Sequence, residues 1–89
     1  MKLLIVDDEK LTREGILKSL PLEKLGIHQT FLADDGIHGL KIALKEKPDL
    51  ILTDVRMPRM SGVEMAEEIL KVLPNAIILF MSAYSDKEY

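Results

Sequence analysis

Three aspartates stand where short apolar runs give out. Leu3-Leu4-Ile5-Val6 is followed by Asp7-Asp8-Glu9, and Leu50-Ile51-Leu52-Thr53 is followed by Asp54. Continuous apolar runs of this length suit strands buried on both faces of a parallel sheet. In such a sheet ligands gather beyond the carboxyl ends of the strands. If these two strands are neighbours, three carboxylates converge in a small volume. Clustered anions repel one another unless a cation or protons intervene. An open set of oxygen ligands that keeps its waters favours Mg²⁺ over Ca²⁺. The same acids exclude other uses of the position. Nucleotide and flavin sites place glycine, serine or threonine there, so that backbone N–H groups hold phosphate. A phosphoryl group can approach Asp7-Asp8-Glu9 only with a metal, and one carboxylate can then act as nucleophile. Asp54, alone after its strand, is the better nucleophile; the Asp7–Asp8 pair looks like metal ligands. Each acid also has a plainer reading on its own, Asp8 for instance as a helix cap.

The rest of the chain supplies elements to position these acids. Ala76-Ile77-Ile78-Leu79-Phe80-Met81 is a third continuous apolar run, and Thr30-Phe31-Leu32-Ala33 a weaker one that fits an edge strand. Between the runs lie helical periods. Ile37, Leu40, Ala43 and Leu44 share one face, as do Val63, Ala66, Ile69, Leu70 and Leu73. Leu11, Ile16, Leu17 and Leu20 make a rougher stripe broken by Gly15. Ser61 with Glu64 reads as a capping box, and Pro74 lies just beyond that helix. Asp34-Asp35-Gly36 opens the helix before Pro48. Alternating strands and helices predict an α/β fold with helices on both faces of the sheet. By analogy, the short first and third strands flanked by longer crossovers suit a flavodoxin-like doubly wound parallel sheet of order 2-1-3-4, lacking the fifth strand of the usual arrangement.

Composition narrows the rest. The chain has 89 residues, 47% hydrophobic and 30% charged, the balance of one globular domain. A net charge of −3 argues against nonspecific nucleic-acid binding, which needs clustered positive charge. The absence of cysteine excludes disulfides and thiolate chemistry. No apolar stretch is long enough to span a membrane or to serve as a signal peptide, so a cytoplasmic protein with no membrane partner is expected.

The motifs resemble those of the receiver domains of two-component response regulators, and the resemblance runs the whole chain. Leu4-Ile5-Val6-Asp7-Asp8-Glu9 is similar to the family's acidic-pair strand. Asp54-Val55-Arg56-Met57-Pro58-Arg59-Met60-Ser61-Gly62 resembles its phosphoacceptor loop, with the Met-Pro and the glycine in register. Met81-Ser82-Ala83-Tyr84 resembles the hydroxyl-plus-small-residue step after the fourth strand. The resemblance implies that residues 1–89 are a receiver domain, incomplete at the C-terminus, and that Asp54 accepts a phosphoryl group from a sensor histidine kinase. Asp8, Asp54 and the backbone carbonyl of Arg56 would bind Mg²⁺, with Asp7 acting mainly through a water. Ser82 would turn toward the new phosphoryl oxygens, and Ala83 would leave room for them. The family's fifth strand carries a lysine for the phosphoryl group, and no residue after Ser82 replaces it.

Other side chains take plainer roles. Arg56 and Arg59 read as solvated loop side chains, His28 and His38 as surface residues, Met57 and Met60 as packing under the loop, and Thr53 as structural, pointing away from Asp54. The fourth strand, with no charge or proline in Ile77–Met81, is an open edge, so self-association into a homo-oligomer is expected. Two stretches, Ser19–Gly26 and Ser82–Tyr89, look like those of receivers joined to transcription regulators of the arabinose-regulator type; DNA would then be contacted only through an output domain absent from this chain. Two alternatives remain. One is a non-catalytic dimerisation scaffold. The other is an aspartate-nucleophile phosphatase of the haloacid-dehalogenase type, against which Arg56 stands where that class places its acid.

Overall fold

A computed structural model describes residues 1–81 of the chain. Seven elements alternate: β1 (Lys2–Val6), α1 (Lys10–Ser19), β2 (Gln29–Ala33), α2 (Gly36–Glu46), β3 (Leu50–Asp54), α3 (Gly62–Val72) and β4 (Ile77–Met81). The four strands form one parallel sheet in the order β2-β1-β3-β4, the flavodoxin-like order expected. β1 lies in the middle, and all four of its apolar residues, Leu3 to Val6, are fully buried. Burying such side chains contributes roughly 1.5–3 kcal/mol each.

Alternation along the strands divides the core in two. Leu4, Val6 and Ile51 pack with Ala43 of α2 and Met65 and Ile69 of α3. Leu3 and Ile5 point the other way and meet Ile16 and Leu17 of α1, Leu20 just past its end, and Ile27. The α2–α3 face is the better covered. α1 buries none of its residues, and Leu11, expected in its apolar stripe, is 82% exposed. An apolar groove bounded by Gly15, Ile16, Leu20, Leu52 and Met81 runs along this face.

The helical stripes need correction in detail. On α3, Met65, Ala66 and Ile69 face the core while Val63 and Leu70 flank it, exposed. On α2, Gly39 and Ala43 are buried while Ile37 and Leu44 are exposed. Small residues let α2 lie close to the sheet: a Cβ at Gly39 would come within 2.7 Å of the Met65 sulfur and 3.0 Å of Val6. The apolar surface facing the helix is then supplied by its neighbours. β4 also departs from a strand buried on both faces. Ile77, Leu79 and Phe80 are each about half exposed, and only Ile78 joins the α2–α3 core.

Helix termini follow the sequence. Ser61 and Glu64 form the complete capping box of α3, with bonds of 3.1 and 3.0 Å. Asp35 caps α2 by accepting from the His38 N–H at 2.8 Å. Asp8 does not cap α1; Glu9 occupies that position and makes no side-chain cap bond. At the opposite end of the sheet the Lys2 N–H donates to Asp49 Oδ2 at 2.8 Å, tying β1 to the start of β3.

Candidate metal centre

The parallel pairing of β1 with β3 sets the site. Val6 lies opposite Thr53, so the next residue of each strand brings Asp7 beside Asp54. Asp7, Asp8 and Asp54 each offer one carboxylate oxygen, and these oxygens all lie within 4.8 Å of one another. The three acids expected to converge do so. Asp7 is buried, 4% exposed, Asp54 is half-buried and Asp8 faces solvent. Such a gradient leaves one side of the cluster open to water.

Local hydrogen bonds aim the carboxylates. The Glu9 N–H donates to Asp7 Oδ1 at 2.9 Å, and the Val55 N–H donates to Asp54 Oδ1 at 2.7 Å. The Asp7 main chain is held on both sides. Its N–H donates to the Ala33 carbonyl at 3.1 Å, and its carbonyl accepts from Arg13 Nη1 at 2.6 Å. Burial pushes the Asp7 carboxyl above its ordinary range; the charges of Asp54, Asp8 and Glu9 push it further up, and the Glu9 N–H partly offsets them. At 4.8 Å, two like charges repel by on the order of 3 kcal/mol in an effective dielectric of about 20. The arrangement is costly as it stands. It suits a hard cation, because every donor is an oxygen and one side is open.

The loop after β3 carries the remaining expected residues. Thr53 is fully buried, and its hydroxyl donates to the Asp54 carbonyl at 2.9 Å, the structural role expected of it. Arg56, exposed, lies two residues beyond Asp54. Gly62 is needed where the loop enters α3. A Cβ there would overlap the Asp54 carbonyl oxygen and approach Thr53 Oγ1 to 3.1 Å. The Gly62 N–H donates to the Val55 carbonyl at 2.8 Å, which closes the loop at its base. Met57 and Met60 pack on the α2–α3 core as expected. Ser82 and Ala83 lie outside the described residues.

Arg59 is exposed, as expected of a solvated loop side chain, but it is also paired. Its Nη2 pairs with Oδ2 of the buried Asp35, 24 residues away at the N-terminus of α2. Asp35 is held below the ordinary carboxylate range, first by the His38 N–H and then by Arg59. Sequence spacing offered no signal for this pair. Only the fold brings the two loops together.

The geometry agrees with what the chain is similar to. The family model described as the response regulator receiver domain matches residues 3–89. The chain belongs to the response regulator receiver family. A transcriptional regulatory protein HptR of Staphylococcus aureus is 38% identical over 88 residues, 99% of this chain and 34% of that protein. An uncharacterized response regulatory protein of Staphylococcus epidermidis is 35% identical over the same shares. Among solved structures, a two-component transcriptional regulator AraC from Clostridium phytofermentans superposes with a TM-score of 0.89 at 53% identity, covering 100% of this chain and 72% of that one. The receiver domain of AraT, a response regulator from Geobacillus stearothermophilus, superposes with a TM-score of 0.89 at 32% identity, covering 99% and 68%. This receiver spans about a third of the length of the curated relatives it matches. No helix among its described residues is long and apolar enough to cross a membrane.

Proposed function

We propose that this receiver is a phospho-accepting switch, with Asp54 as the acceptor and a sensor histidine kinase as the donor. The observation that supports it most is the meeting of three carboxylates at the ends of two adjacent strands. Asp8, Asp54 and the Arg56 carbonyl would hold Mg²⁺, with Asp7 acting through a water. When bound, the ion would offset the negative charge of an incoming phosphoryl group.

The chain's own residues account for the rest. A free oxygen of Asp54 attacks the phosphorus of a phosphohistidine. The P–N bond breaks, the electron pair returns to the imidazole, and the imidazole takes up a proton. The product is an acyl phosphate on Asp54. The Val55 N–H, already donating to Asp54 Oδ1, keeps the carboxylate in one orientation. Ser82 would respond to the new phosphoryl oxygens, so that a few new hydrogen bonds bias the loops that follow. The names of the relatives support a transcriptional output, in a domain outside this chain, and a cytoplasmic setting. Residues 1–89 form one receiver unit in this reading, and the half-exposed β4 edge supports self-association between copies.

Acetyl phosphate with Mg²⁺ tests the proposal. The expected result is a stable mass gain of one phosphoryl group, located on Asp54 and abolished by Asp54→Ala. Continuous phosphate release would indicate a phosphatase. No adduct at all would leave the non-catalytic dimerisation scaffold, and labelling that survives Asp54→Ala would refute the acceptor assignment.

A further inference from the structure

We infer that Arg59 is a positioning residue: its ion pair with Asp35 latches the Asp54–Gly62 loop onto the N-terminus of α2 and holds it in the shape that binds the cation. The inference rests on the Mg²⁺ site proposed above.

Three observations converge on the latch. Arg59 adopts φ 69°, and among the described residues only Lys47 is another non-glycine with positive φ. That conformation is normally left to glycine, so an arginine there needs a compensating contact. The contact is an anchored one. Asp35 is buried, with Oδ1 fixed by the His38 N–H at 2.8 Å and Oδ2 paired with Arg59. The pairs Lys10–Glu14 and Lys71–Glu68, by contrast, each join exposed side chains on a single helix. Asp35 therefore offers a fixed point to an arginine whose own side chain is 63% exposed, where those surface pairs join two exposed side chains.

The third observation is steric continuity. Beside the ion pair, Gly36 lies so close to Met60 that a Cβ would overlap the Met60 carbonyl oxygen. Two residues on, Gly62 stands equally close to the Asp54 carbonyl. Contacts thus run from the cap of α2 through Arg59 and Met60 to the backbone of Asp54. The Gly62–Val55 bond and the Ser61 capping box secure the base of the loop. Across its crown, the Met60 N–H to Pro58 carbonyl bond of 2.8 Å is internal to the loop and does not tie it to α2. The Asp35–Arg59 pair is the side-chain ion pair that joins the loop to α2, beside the packing of Met60 on Gly36 and the core, and the Arg56 carbonyl lies within the segment it restrains.

Charge and position predict opposite results for the loss of Arg59. Removing a cation from the neighbourhood of a cation site should by charge alone tighten Mg²⁺ binding. Loss of the latch should weaken it, since affinity falls with the fraction of the loop in its competent shape. The experiment is a calorimetric Mg²⁺ titration of the wild-type chain, Arg59→Gly, Arg59→Lys and Asp8→Asn, with melting of each without metal. Glycine relieves the left-handed backbone, so Arg59→Gly should melt within a few degrees of wild type. Its Mg²⁺ dissociation constant should rise about fivefold if the competent fraction falls to about one fifth. Arg59→Lys, which keeps the cation, should recover most of the loss. Unchanged or tighter binding by Arg59→Gly would overturn the latch while leaving the metal site intact, as would failure of Arg59→Lys to recover any affinity. Absence of wild-type binding that depends on Asp8 would overturn the site reading, and the latch with it.

Discussion

Two glycines in this chain predict opposite answers to the same substitution. Gly62, buried at the first position of α3, lies so close to the Asp54 carbonyl that a Cβ would overlap it, and that Cβ would also come within 3.1 Å of Thr53 Oγ1. Both neighbours are held: Thr53 is fully buried, and its hydroxyl is bonded to that same carbonyl. Gly62→Ala must therefore push α3 away from the end of β3. Forcing one extra methyl group into a packed site costs about 1–3 kcal/mol, more than the gain of up to about 1 kcal/mol that alanine offers a helix. Gly15, in contrast, lies mid-helix in α1 with open space where a Cβ would go. Gly15→Ala should stabilise by about 0.5–1 kcal/mol, through helix propensity and lost freedom in the unfolded chain. For a domain of this size about 1 kcal/mol moves the melting temperature by roughly 4–8 °C. Thermal melts by circular dichroism should therefore show Gly62→Ala lower by up to about 16 °C and Gly15→Ala higher by about 2–8 °C. The site gives the second readout. Displacement of the Asp54 backbone should weaken Mg²⁺ binding in Gly62→Ala and leave it unchanged in Gly15→Ala. Equal shifts of the same sign in the two variants would show that the close approach of α3 to Asp54 is wrong.

Two further perturbations test the charges. A cation bound only by the folded chain adds about 2.7 kcal/mol at a hundred times its dissociation constant; Asp8→Asn should lose most of that Mg²⁺-induced rise in melting temperature, and an undiminished rise would remove Asp8 from the ligand set. Acid stability has a defined sign, because the Asp35 carboxyl is held low in the folded chain. Its contribution is complete above the ordinary carboxylate range and is lost as pH falls through that range to the lowered value. Urea midpoints measured downward from neutral pH should fall less steeply in Asp35→Asn than in wild type. Asp7, held above its ordinary value, acts in the opposite sense: without metal it costs stability as pH rises from the ordinary carboxylate range through the raised value, and Asp7→Asn should flatten that limb.

What the sequence made legible follows from what its signals report. A run such as Leu3-Leu4-Ile5-Val6 carries its own burial, so β1, β3 and the acids at their ends follow from patterning, while the adjacency of β1 and β3 follows from analogy with the flavodoxin-like strand order. Ile77–Met81 sends the same signal, yet Ile77, Leu79 and Phe80 remain half exposed. An apolar run states what a strand can bury, and covering it is the work of other elements; among the described residues only the α2–α3 core reaches β4, at Ile78. Helical stripes are less faithful, because a bulky residue at helical spacing need not face inward. Gly39 and Met65 show the alternative, in which a helix face turns inward where it is smallest and a side chain from the next helix fills the space.

The Asp35–Arg59 pair was beyond reach for a different reason. Its energy lies between two loops 24 residues apart that the sheet order brings together, and each member had a sufficient local explanation, Asp35 as a cap and Arg59 as a solvated side chain. Asp35 remains a cap, but its second oxygen serves another purpose. That division of one carboxylate between a helix terminus and the loop bearing Asp54 gives the site a mechanical neighbour. A change at Asp54 that moves the Arg56–Met60 segment must either stretch the ion pair or carry the cap of α2 with it. The rigidity of α2, packed through Gly39 and Ala43 onto β1 and α3, favours the first. On the proposed latch, release of the pair would be a cost that any new bond formed at Asp54 must meet.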